Sequence, residues 1–181
     1  PVDVSGNVLR GNVAGYGSAI WVYDAPVTLV NDAVLHNWAA TDGSAVWVEG
    51  PAPVTLLHPT LARNVGRAAV GAELSATVVI TNAIVYSQTV GLEATDGSTV
   101  TVAGVLWYGN LTNTVATTAT IQVSHPVTGA PALDSDGYHL TAASPARDVG
   151  VVSGVAMDID GEARPRNDDY DLGADEYWIN R

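Results

Sequence analysis

Two stretches twenty-six residues apart read almost alike: GSAIWVYD at residues 17–24 and GSAVWVEG at 43–50. A chain that rewrites one strand-like phrase with few exchanges is stacking copies of a single structural unit. Four more phrases repeat the signal: PVTLVNDAVLHN from Pro26, PVTLLHPTLARN from Pro53, TVVITNAIVYSQ from Thr77 and TVTVAGVLWYGN from Thr99. Measured from Val27, Val54, Val78 and Val100, the intervals are 27, 24 and 22 residues. Periods in the twenties with β-branched composition predict a solenoid. Leucine-rich repeats need an L-x-x-L-x-L signature that is missing here, and a propeller blade needs about 40 residues per unit.

Within a unit, V-T-L and V-V-I alternation argues for short strands. Turn chemistry separates them: TDGS stands at Thr41–Ser44 and again at Thr95–Ser98, where the Gly accepts positive φ. The expected fold is all-β, a right-handed single-stranded parallel β-helix of about five rungs spaced about 4.8 Å apart. Residues 1–125 supply the rungs, and 126–181 the last rung and an irregular capping tail. Asn37, Asn64, Gln88 and Asn110 fall in one column, where side-chain amides bond to the rungs above and below.

Alternation assigns the faces of the repeated strand. Val46 and Val48 point one way, Trp47 and Glu49 the other, and a Glu is seldom buried unpaired. Trp47 is therefore expected outside, giving two exterior columns: Trp21, Trp47, Gly71, Gly91 beside Tyr23, Glu49, Glu73, Glu93. Three uses suit that surface. It is an ordinary solvated face; or a glycan-binding face of Trp21, Tyr23, Trp47, Glu49 and Glu73, because pyranose rings stack on indoles and carboxylates accept hydroxyl hydrogens; or a catalytic face drawing on Glu49, Glu73 and Glu93. Adjacent rungs set carboxylates about 5 Å apart, near the separation in a retaining glycosidase, but any stacked acidic column has that spacing.

Composition narrows the partners. Seven Arg and no Lys face 19 acidic residues, a formal charge of −12, which repels a phosphate backbone and excludes nucleic acid. There is no Cys, hence no disulfide framework or thiol chemistry. No apolar run reaches the roughly 18 residues of a membrane-spanning helix, and the N-terminus starts in mid-pattern, as a processed or excised piece of a longer chain would. His36 and His58 sit at turn-like positions, His125 precedes Pro126 and His139 lies in the tail, so no zinc spacing arises. Asn110-Leu111-Thr112 is a formal glycosylation sequon.

After residue 125 the repeat decays into SHPVTGAPALDSDGYHLTAASPARDVG and DIDGEARPRNDDYDLGADEYWINR. The phrases Tyr138-His139-Leu140, Ser144-Pro145-Ala146, Asp148, Gly150, then Asp158, Asp160, Gly161, Arg164, Pro165, then Asp171, Gly173, Ala174, Glu176 resemble the closing segment of bacterial secreted parallel β-helix proteins. These belong to the pectate-lyase-like superfamily, including choice-of-anchor Q domain proteins. The resemblance covers about forty residues and implies an extracellular or cell-surface chain. Physically the segment reads as a cap for the last rung, pinned by Arg164, Asp171, Glu176 and Asp148. The rival reading is calcium in the D-x-D-G turns at Asp158–Gly161 and Asp134–Gly137, with Asp158 and Asp160 as ligands, although both turns depart from an EF-hand loop.

The resemblance also raises polysaccharide lyase or glycoside hydrolase activity. The N-T-D, H-G and R-I-K motifs of polygalacturonases are missing, and the single Asp pair, Asp168-Asp169, lies in the tail. The expectation is therefore a structural or adhesive module without a resident cofactor. It contacts glycans or self-associates head to tail into filaments, with a polysaccharide-degrading enzyme as the alternative.

Overall fold

The structure is a computed structural model and describes residues 2–40 and 43–179. Thr41 and Asp42, half of one expected TDGS turn, lie outside the described residues. The chain forms a β-solenoid of about five turns with no helix among the described residues. The first turn holds β1 (Val2–Ser5), β2 (Val8–Arg10), β3 (Val13–Ala14) and β4 (Ile20–Tyr23). The second holds β5 (Val27–Val30), β6 (Ala33–Leu35), β7 (Trp38–Ala39) and β8 (Val46–Glu49), and the third β9 (Pro53–Leu57), β10 (Thr60–Ala62) and β11 (Val70–Glu73). Further along, the first two strands of a turn fuse. β12 (Thr77–Tyr86) precedes β13 (Val90–Thr95), β14 (Thr99–Tyr108) precedes β15 (Thr112–Thr117), and β16 (Thr120–Thr128) follows.

Every ladder between these strands is parallel. Val27, Val54, Val78 and Val100 stack in direct register, as the repeat intervals require. Inward-facing Val, Leu, Ile and Ala from all three sides fill the interior, among them Leu29, Val46, Leu56, Ile80, Leu92 and Val102. The TDGS turn at Thr95–Ser98 forms with Asp96 and Gly97 both at positive φ, 50° and 75°, closed by Ser98 N–H donating to Thr95 C=O at 3.0 Å. That is the geometry of a tight turn between strands.

Left-handed residues also make the corners. Between the first and second strands of a turn stand Asn31, His58, Asn82 and His125, with φ of 54°, 53°, 56° and 52°. Such residues each cost about 1 kcal/mol. The amide column offsets part of that. Asn37 accepts from the backbone and side-chain N–H groups of Asn12, and Asn64 from those of Asn37. The NH2 groups of Asn37, Asn64, Gln88 and Asn110 donate to the carbonyls of Leu9, Val34, Leu61 and Val85, one rung back.

The tail corrects an expectation. It does not cap the last rung: Val123, whose column mates Leu56 and Ile80 are buried, remains 38% exposed. Instead it runs back along the side of the solenoid as a strap. Asp136 C=O accepts from Arg10 in the first turn at 2.6 Å, Met157 C=O from Asn31 in the second at 2.8 Å, and Val151 C=O from Asn82 at 2.7 Å. Beneath it lies a second apolar layer outside the sheet, where Leu35, Ile84, Tyr86 and Leu106 meet Leu140 and Leu172. The physical reason is coverage. Parallel sheets are rarely bare on a face, and the second strand of each turn is apolar on both of its faces.

Candidate functional site

The last strand of each turn, β4, β8, β11 and β13, carries the exterior columns, and the register is only partly the expected one. Trp21 stacks on Trp47 and Trp47 on Gly71; Tyr23 stacks on Glu49 and Glu49 on Glu73. The next rung slips by two residues: Glu93 pairs with Gly71, and Thr95 rather than Glu93 continues the acidic column. The inward pairs Val70 with Leu92 and Ala72 with Ala94 set this register, so the resemblance between V-G-A-E and V-G-L-E misleads.

Trp47 is the second departure. It points away from the interior as alternation demands, yet only 4% of it is exposed. The indole lies down over Gly71, where a Cβ would overlap the ring, and the Arg67 guanidinium covers it at 5.6 Å from the ring centroid. It therefore cannot serve as a stacking platform for a sugar. The open rings are Tyr16, Trp21 and Tyr23, exposed by 58%, 57% and 67%. Trp21 lies 6.4 Å from Tyr16 and 6.5 Å from Tyr23, centroid to centroid, the latter edge-on. Tyr16 sits in the loop before β4, outside the repeated phrase, and only the spacing Y-x4-W-x-Y hints at it.

Beside these rings the carboxylates are organised. Glu49 accepts from the Trp47 indole N–H at 2.7 Å and from that of Trp21 at 3.2 Å, one donor to each oxygen. Arg67 engages Glu93 through two nitrogens, at 2.5 and 2.8 Å. Glu73 stands next to Glu49. Burial, a hydrogen bond with Glu49 and the charges of Glu49 and Asp96 push its carboxyl up to about 7, against the opposing pull of Arg67. The pair therefore tends to hold one proton near neutrality. Chemically this is a carboxyl and carboxylate side by side, at the foot of an exposed aromatic cluster.

The strap gathers the other polar groups. His58 is fully buried, with Nε2 2.7 Å from Ser153 Oγ, and its Nδ1 meets Arg164. Burial and the neighbouring guanidinium push its pKa down to about 2. The serine and histidine do not make a hydrolase triad. An Nδ1 that accepts from Arg164 leaves Nε2 as the N–H donor, so the imidazole has no lone pair to deprotonate Ser153.

Arg164 is 4% exposed and donates to the carbonyls of Gly173 and Ala174 at 3.3 and 2.8 Å, with Glu176 3.9 Å away. Asp171 accepts from the backbone N–H of Asp148 and Tyr177, and Glu176 from those of Arg166 and Asp171. Asn167 donates to the Asp148 carboxylate at 3.0 Å. These groups hold the strap mainly through side chain to backbone bonds.

Asp158 likewise closes a turn, accepting from the backbone N–H of Asp160, Glu162 and Glu176. Ligand atoms of Asp158, Asp160, Glu162 and Asp175 lie within 4.8 Å of one another, as do those of His139, Asp160 and Asp175. His139 bonds Asp160 at 2.7 Å through Nε2 and Asp136 through Nδ1. Burial opposes its charge, but the bonds to Asp136 and Asp160 outweigh it and raise its pKa. No protein-family model, curated protein or solved structure matches the chain.

Proposed function

We propose that this β-solenoid is an extracellular or cell-surface structural module that contacts glycans through the face made by Tyr16, Trp21 and Tyr23. One observation carries the reading: three neighbouring aromatic rings, each more than half exposed, stand at the edge of an ordered carboxylate pair. Aromatic faces stack on the apolar faces of pyranoses, and carboxylates accept their hydroxyl hydrogens. The resemblance of the strap phrases to secreted β-helix proteins agrees with such a location.

The test is retention on a glycan array with tryptophan fluorescence as a second readout. Trp21→Ala abolishes retention while the β-sheet circular dichroism is unchanged. Equal retention by the variant and the parent chain removes the reading.

A second reading, polysaccharide hydrolysis, is favoured by the protonated partner in the Glu49 and Glu73 pair. A carboxyl pushed up to about 7 beside a second glutamate fits an acid paired with a base or nucleophile. It requires turnover of a glycan that Glu73→Gln eliminates without weakening binding; retention with no turnover across neutral and charged glycans rejects it. Association of copies end to end belongs to the same proposal, because apolar side chains of the first turn such as Val2, Val4 and Leu9 line an open cavity of about 470 Å³. It predicts particles that lengthen with concentration in electron micrographs, and uniform short rods at every concentration exclude it.

A further inference from the structure

The charges around the aromatic face select among glycans, and this step rests on the glycan-contact reading. Glu49, Glu73, Glu93 and Asp96 crowd the outer side of β8, β11 and β13, and the neighbouring cation, Arg67, is shared with Glu93 and the Trp47 ring. Glu49 is fixed by its two indole donors, so it cannot swing away from Glu73 without losing both. Like charges about 5 Å apart repel in water, and more strongly where solvent is excluded. A ligand that brings positive charge removes that repulsion; one that brings carboxylates adds to it. The rings supply the second half of the recognition, since an ammonium group within about 6 Å of an indole or phenol face is attracted by the ring quadrupole.

We propose that the face formed by Tyr16, Trp21, Tyr23, Glu49 and Glu73 takes a cationic amino-sugar glycan, its rings stacked on the aromatics and an ammonium group held beside the two carboxylates. A uronic-acid polymer is rejected by the same charges. Binding is pH-dependent through Glu73, which burial, the hydrogen bond and charge of Glu49, and Asp96 hold protonated and Arg67 opposes. As pH rises through about 7, Glu73 ionises and the affinity for a cation increases.

The probes are three oligosaccharides of equal length: a trimethylammonium-substituted glucosamine hexamer, whose charge does not titrate, its N-acetylated neutral counterpart, and an oligogalacturonate. Isothermal titration of the 181-residue chain is expected to give binding of the cationic hexamer about tenfold tighter than the neutral one, and no binding of the acidic one. Between pH 6 and pH 8 the cationic affinity rises about fivefold and the neutral one stays level. Glu73→Gln removes that rise, so that the cationic affinity stays level between pH 6 and pH 8, while Trp21→Ala weakens both hexamers.

Equal affinity for the cationic and neutral hexamers overturns the charge selection but leaves the glycan-contact reading standing. Binding of neither hexamer overturns both. Cationic binding that Trp21→Ala does not reduce also overturns the inference, because it would then be general attraction to a chain of charge −12.

Discussion

The molecule has two apolar layers, packed by different means. Inside the solenoid, Leu29, Leu56, Ile80 and Val102 stack like on like, each rung supporting the next. Outside the second-strand sheet, Leu35, Ile84 and Leu106 are covered by Leu140, Leu172 and Ala174 from a strap that has no repeat and, among the described residues, no strand of its own. Repetition makes the first layer cooperative along the axis. The second depends on individual bonds, above all those of Arg164. The contrast shows that an irregular segment can complete a regular fold only by satisfying its own backbone with side chains.

The largest effect that would break this contrast comes from Arg164→Ala. Removing a buried guanidinium takes the donors from the Gly173 carbonyl, leaves Ala174 C=O with the Ile159 N–H alone and strips buried Glu176 of its neighbouring cation, an expected loss of about 4 kcal/mol. The strap should become protease-sensitive while the rungs keep their circular dichroism. If strap and rungs unfold together, the two layers are one cooperative unit and the contrast fails.

A matched pair sharpens it: Leu172→Ala and Ile80→Ala each remove a fully buried aliphatic side chain, at about 3 kcal/mol. Hydrogen exchange should place the first loss in residues 140–176 and the second across the rungs. Asn64→Ala is smaller, about 2 kcal/mol, because it deletes the donor to Val34 C=O and the acceptor for Asn37. Its unfolding midpoint should fall without any gain in strap exchange.

The smallest effect is electrostatic. Glu73 is raised to about 7 in the fold from an ordinary value of 4.5, so the native state binds more protons than the unfolded one between those pH values. Its contribution to stability therefore falls as pH climbs through that window. Glu73→Gln should flatten the fall, with thermal melts at pH 5 and pH 8 as the check. His139 has a linkage of the same sign in a higher window: its pKa is raised, so the stability it lends is full below about 6.5 and is lost as pH rises through the folded value.

The periodic layer could be read from the chain because the interior repeats the same demand every turn. Val27, Val54, Val78 and Val100 announce it, and so do the amides at Asn37, Asn64, Gln88 and Asn110. The strap left a fainter mark. First strands alternate, as in V-T-L, but second strands run apolar without a break in A-V-L, A-I-V-Y and V-L-W-Y, as sheets covered on both faces do. That pattern belongs to a side wall, whereas the polar composition of residues 126–181 suggested an end cap.

At the aromatic face, alternation gave the direction of Trp47 correctly and its exposure wrongly. Direction depends on the strand alone. Exposure also depends on the Arg67 side chain and the vacant space at Gly71. Glu93 failed for a related reason: a repeated G-x-E motif competed with the inward pairs, and the interior decided the register.

The direction in which the strap runs has a consequence for biosynthesis. All of the rungs leave the ribosome before the segment that must lie against them, and that segment has to travel back as far as Arg10. At about 5–20 residues per second, the outward face carrying Leu35, Ile84 and Leu106 stays bare for several seconds. A nascent chain in that interval presents a flat apolar sheet to its neighbours, until the segment carrying Leu140 and Leu172 comes back against turns that were made before it.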